Sequence, residues 1–171
     1  MVPPGSAVCA KMLQLGINGI FVLTRNGSPL LIRDYRNNLD QEGADLRLIG
    51  FLSAFSRFAF EETDGLISDL GMHTTRLFFD FSEDILYLLS LDELVMQHYP
   101  FHQLRTLLKG TLREIKIIER DLFSNDSESV DQLVRDVGYY KHLRQTYDEL
   151  GPHIDTLVLK SYEELRGLLL G

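Results

Sequence analysis

Residues 17–35 read Ile17-Asn18-Gly19-Ile20-Phe21-Val22-Leu23-Thr24-Arg25-Asn26-Gly27-Ser28-Pro29-Leu30-Leu31-Ile32-Arg33-Asp34-Tyr35. Two runs rich in β-branched and aromatic residues flank Arg25-Asn26-Gly27-Ser28. Asn-Gly between such runs signals a hairpin, because a type I′ turn needs φ > 0 at both central residues. The pattern predicts a strand over 19–24, a tight reversal and a second strand over 30–35. The chain therefore opens its fold with an antiparallel pair.

Before the hairpin, residues 1–11 hold Pro3-Pro4-Gly5-Ser6 and no core pattern. A secretory signal needs a basic start and a longer apolar run, and both are missing here. The segment reads as a disordered leader ahead of Met12. This gives an organisation of leader over 1–12, α/β domain over 13–123 and a C-terminal helical extension over 124–171, packed on the domain.

After the hairpin, residues 36–45 are polar and carry Asn37-Asn38, Asp40, Glu42 and Gly43, the composition of a loop. Asp45 is placed to cap a helix over 46–62. On a helical wheel Leu48, Phe51, Leu52, Phe55, Phe58 and Ala59 form one broad apolar face, the expected core stripe. Ile49 and Phe60 fall off that face, which predicts a second buried surface.

Three further strands are expected over 65–72, 75–81 and 85–91. The run Ile85-Leu86-Tyr87-Leu88-Leu89 is continuously apolar, as in a central strand covered on both faces. The short link Ser82-Glu83-Asp84 requires antiparallel neighbours. The remainder reads as helix over 100–123, 128–150 and 154–170, with Gly151-Pro152 as the stop between the last two. The order β-β-α-β-β-β-α predicts an α+β fold: a five-stranded antiparallel sheet covered by helices.

The chain has 171 residues, is 44% hydrophobic and carries a formal charge of −8. That balance repels nucleic acid and favours a basic partner surface, or serves solubility. The single cysteine, Cys9, rules out an intrachain disulfide and suits a reducing, cytoplasmic compartment. No apolar run is long enough for a membrane span.

Catalytic and metal chemistry find little support. His98 and His102 are four apart, but Pro100 between them disfavours one helix presenting both, so no metal site is expected. Asp80, Glu83 and Asp84 cluster at a hairpin tip, where solvent leaves paired carboxylates unperturbed. Cys9 lacks a neighbouring base. Neither a phosphate-binding loop nor a dinucleotide fingerprint is present, and no cofactor is expected.

The run Gly19–Leu30, the helix segment Phe51-Leu52-Ser53-Ala54-Phe55-Ser56-Arg57-Phe58-Ala59 and the stretch from Asp64-Gly65-Leu66-Ile67 to Leu91-Asp92 resemble a longin-like domain. The resemblance covers about residues 13–123, extends to the related roadblock and profilin folds, and looks closest to single-domain proteins of archaeal type. It implies a non-enzymatic scaffold that regulates or binds a small GTPase or a membrane-traffic-like complex, as a homodimer or heterodimer. Membrane association would be peripheral and through partners. The surface it implies is the first helix of that domain and the adjoining sheet edge: Ile49, Ser53, Ser56, Arg57 and Phe60. The alternative is a small-molecule-sensing domain of similar topology, which needs a cavity with converging polar groups.

Overall fold

A single residue in the left-handed region closes the first reversal. Gly27 has φ 85°, while Asn26 is not among the residues of positive φ. The Gly27 N–H donates to the Thr24 carbonyl and the Thr24 N–H to Ser28, both at 2.9 Å. Arg25-Asn26-Gly27 is thus a three-residue loop ending in a left-handed glycine, not the two-residue type I′ turn that Asn-Gly suggests. The computed structural model describes residues 4–37, 46–62, 69–82, 85–97, 100–123 and 137–170.

The loop joins β1 (Ile17–Thr24) to β2 (Pro29–Asp34). Helix α2 (Leu46–Glu62) follows, then β3 (Asp69–Met72), β4 (Thr75–Ser82) and β5 (Ile85–Asp92). The strands form one antiparallel sheet in the order β2-β1-β5-β4-β3. The five-stranded α+β architecture expected from the sequence is therefore the observed one. The continuously apolar β5 occupies the middle of the sheet and is covered on both faces, as its composition requires. Ile85, Tyr87 and Leu89 belong to one core, Leu86 and Leu88 to the other.

Those two cores lie on opposite faces. On one, among the described residues, α2 packs over Phe21, Leu23, Ile32, Leu77 and Phe79. On the other, α1 (Ser6–Gln14), α4 (Phe101–Phe123) and α5 (Val137–Leu170) share a larger core. A short helix, α3 (Glu93–Met96), follows β5, and its Asp92 N-cap accepts from the Leu94 N–H at 2.9 Å. Arg76 bridges Asp69 and Glu93, each at 2.8 Å, and so ties the β3 edge to α3.

Two expectations change. The leader carries α1 from Ser6 onward, with Cys9 and Met12 buried and Val8 and Leu15 half-buried against the same core. Val8, Cys9, Met12 and Leu15 recur at helical spacing, a stripe too short to stand out beside Pro3-Pro4. The second change is at Gly151-Pro152, which does not end a helix: α5 runs through it. Tyr147 on one side of the proline and Ile154 and Val158 on the other enter the same core, so tertiary packing overrides the missing N–H. The expected caps Asp45 and Ser127, the start of the third strand and the helix start at 128 lie outside the described residues. Among the described residues, no helix is long and apolar enough to cross a membrane.

Candidate functional site

Helix α2 meets the sheet through small polar side chains. Ser53 Oγ donates to the Gly27 carbonyl at 3.0 Å, and Ser56 Oγ donates to the Thr24 carbonyl at 2.8 Å. The helix also rests directly on the hairpin loop: a Cβ on Gly27 would lie 2.5 Å from Ser53 Cα. Only a glycine facing a small residue permits that approach.

This docking turns the helix about its axis relative to the apolar stripe read from the sequence. Leu52, Phe55, Ser56 and Ala59 are buried, and Leu48, Ile49, Ser53 and Phe60 are half-buried. Phe51 and Phe58, expected in the core, keep 40% and 39% of their surface exposed. They flank Phe55, with ring centroids 6.2 and 6.3 Å from it. Phe55 in turn meets Phe79 edge-on at 5.3 Å.

The five residues expected to form an interaction surface therefore separate. Ser56 is buried and Ser53 is spent on the hairpin. Ile49 packs on the core beneath α2. Phe60 stacks edge-on against Phe81 at 4.9 Å, with the Arg25 guanidinium 5.0 Å above its ring. Arg57 alone of the five is exposed. The outward face of α2 is instead Leu46, Phe51 and Phe58, with Arg47 and Arg57 beside them, and exposed Met72 lies across a shallow groove from Phe51.

Among the described residues, the exposed charges on and beside this helix are Arg25, Arg47, Arg57 and Glu61. The overall charge of −8 suggests a basic partner, but this local surface complements an acidic and apolar one.

A second cluster was not foreseen at all. Arg33 on β2 and Asp155 on α5 form a buried ion pair through Arg33 Nη2 and Asp155 Oδ2, with Arg33 Nε on Asp155 Oδ1 at 3.2 Å. The Tyr35 hydroxyl donates to the same Asp155 Oδ1. Burial, and then the Asp155 carboxylate, push the Tyr35 hydroxyl well above the usual tyrosine range. Burial raises the Cys9 thiol too, again with Asp155 as the next cause. The cluster fastens α5 to the sheet.

The remaining chemical candidates disperse. His102 is exposed, while His98, Glu83 and Asp84 lie outside the described residues. Asp80 pairs with Lys116 at 2.9 Å. Among the described residues, no group of three histidine, cysteine or acidic side chains is placed to hold a metal ion. Compared with known families and with curated proteins, the chain matches no family model and no curated protein.

Proposed function

We propose that this chain is a non-enzymatic, longin-like interaction module of the cytoplasm that engages a small GTPase or a membrane-traffic-like complex through helix α2. The observation that carries the reading is the pair Phe51 and Phe58, held outward beside Arg47 and Arg57 by the serine-mediated docking of α2. Aromatic and arginine side chains together are the usual anchors of protein interfaces. The occupant that fits is a protein surface with an apolar centre and acidic rim. An isologous contact between two copies of this face would set arginine against arginine. Dimerisation would therefore use the short β3 edge, whose Gly71 and Met72 are exposed, by strand pairing.

The test is binding of the purified chain to a panel of small GTPases in both nucleotide states, with the mass in solution read by light scattering. The double substitution Phe51→Ser and Phe58→Ser should weaken binding at least about tenfold while leaving the circular dichroism unchanged. A strict monomer that binds no GTPase in either state would remove the proposal.

A further inference from the structure

The sequence holds two Asn-Gly dipeptides, Asn18-Gly19 and Asn26-Gly27. Such a pair is chemically labile, because no side chain shields the glycine nitrogen. That nitrogen can lose its proton and attack the asparagine Cγ; a C–N bond forms and ammonia leaves. Water then opens the cyclic imide to aspartate or to isoaspartate, whose main chain is one carbon longer. Ring closure requires the asparagine Cβ and the next nitrogen to be nearly eclipsed about the Cα–C bond. Neither helical nor extended backbone gives that arrangement. The reaction therefore waits for the main chain to turn, and the fold sets how often it does.

The two sites are held differently. Asn18-Gly19 lies inside β1, between β2 and β5. The register with β5 passes from Ile17↔Leu91 to Gly19↔Ser90, so Asn18 is an extra, bulged residue. Its carbonyl accepts from the Tyr35 N–H at 2.9 Å, and Gly19 pairs with Asp34. Turning this peptide means parting β1 from both neighbours.

Asn26-Gly27 sits on the β1–β2 loop, with Asn26 exposed and Gly27 buried. The attacking nitrogen is engaged, since the Gly27 N–H donates to the Thr24 carbonyl at 2.9 Å. Helix α2 pins the loop from above: Ser53 Oγ and Ser56 Oγ hold the Gly27 and Thr24 carbonyls at 3.0 and 2.8 Å. The position of a Gly27 Cβ lies 2.5 Å from Ser53 Cα, so the loop has no room to turn on the helix side. Lifting α2 frees this peptide while the five strands stay paired. Local openings of that kind cost less than global unfolding.

We propose that Asn26-Gly27 is a deamidation site gated by α2, closed while the helix is docked and open when it lifts. Isoaspartate at position 26 lengthens the loop by one main-chain carbon and shifts the Gly27 carbonyl from Ser53. The helix then loses its seat, and Phe51 and Phe58 their outward placing. A transient opening becomes a permanent one. The gate is the same whatever partner the α2 face takes.

The test is incubation of the full chain in mildly alkaline buffer, with the one-dalton gain at each asparagine followed by peptide mass spectrometry. In denaturant both dipeptides should react at similar rates. In the native chain Asn26 should react at least about tenfold more slowly than in denaturant, and at least about tenfold faster than Asn18. Ser53→Ala with Ser56→Ala should speed Asn26 about tenfold. Val158 is buried in the core on the opposite face, which stays packed when α2 lifts. Val158→Ala should therefore speed Asn18 at least about tenfold and leave Asn26 within about twofold. The isolated isoaspartate form should exchange its α2 amides at least about tenfold faster than the unmodified chain, with β5 unchanged. Native Asn26 reacting as fast as in denaturant, Asn26 and Asn18 speeding equally in Val158→Ala, or unchanged α2 exchange in the isoaspartate form would overturn the assignment.

Discussion

Arg33 and Asp155 stand 122 residues apart in sequence and form a buried ion pair between the edge strand β2 and the long helix α5. Both are almost wholly excluded from water, at 1% and 4% exposure. Two desolvated charges are tolerable only together. Asp155→Leu should therefore destabilise the fold by about 3–5 kcal/mol, because it takes a charged partner away from the buried Arg33 guanidinium. The double change Arg33→Met and Asp155→Leu should recover most of that loss. Urea unfolding of the wild type, both single variants and the double variant gives the coupling energy directly; additive losses would show that the pair is not a unit.

Tyr35 adds a pH dependence. Its folded pKa lies above the unfolded value, through burial and then Asp155. The native state thus holds this proton more tightly. The contribution to stability is complete below about pH 10 and is lost as the pH rises through the folded value. Stability measured between neutral and strongly alkaline pH should fall with a limiting slope shallower in Tyr35→Phe by about 1.4 kcal/mol per pH unit. An unchanged slope in that variant would exclude Tyr35 as its source.

Gly151 and Pro152 should respond in opposite directions to alanine. A Cβ at Gly151 would lie 2.9 Å from Arg33 Nη1 and 3.3 Å from Cδ, and the guanidinium is held by Asp155. Gly151→Ala should therefore cost about 1–3 kcal/mol, outweighing a gain in helix propensity of about 1 kcal/mol. Pro152 is exposed and interrupts the helical ladder, so Pro152→Ala should stabilise by up to about 3 kcal/mol. Thermal melts of the two variants decide the matter.

Cys9 should be chemically silent in the native state. It is buried in α1, and its thiol is held in the protonated form by burial and by Asp155. Reaction with a thiol reagent near pH 8 should be at least about tenfold slower than in denaturant, where one equivalent reacts at once. Fast native labelling would mean that α1 does not stay docked.

The candidate surface shows where local pattern stops being informative. The apolar content of α2 was plain, but its rotation was not. Hydropathy ranks Ser53 and Ser56 as outward and Phe51 and Phe58 as inward. Two hydrogen bonds to the hairpin carbonyls, together with the absent Cβ of Gly27, reverse that order. The bulge at Asn18 was equally hidden, since one extra residue in the β1–β5 register leaves no mark on composition.

Sequence alone settled the strands, their antiparallel sense and the central place of β5, because side-chain period and short links are local properties that each segment carries by itself. It also located α2 and α4 within the chain. Tertiary structure decided the loop type at Gly27, the docking of α1, the passage of α5 through Pro152 and the face that α2 turns outward. Each of these depends on atoms distant in sequence: Ser53 against Gly27, Cys9 and Met12 in the shared core, and Arg33 with Asp155. Such contacts are worth several kcal/mol only once the chain has brought them together, so no local window contains them.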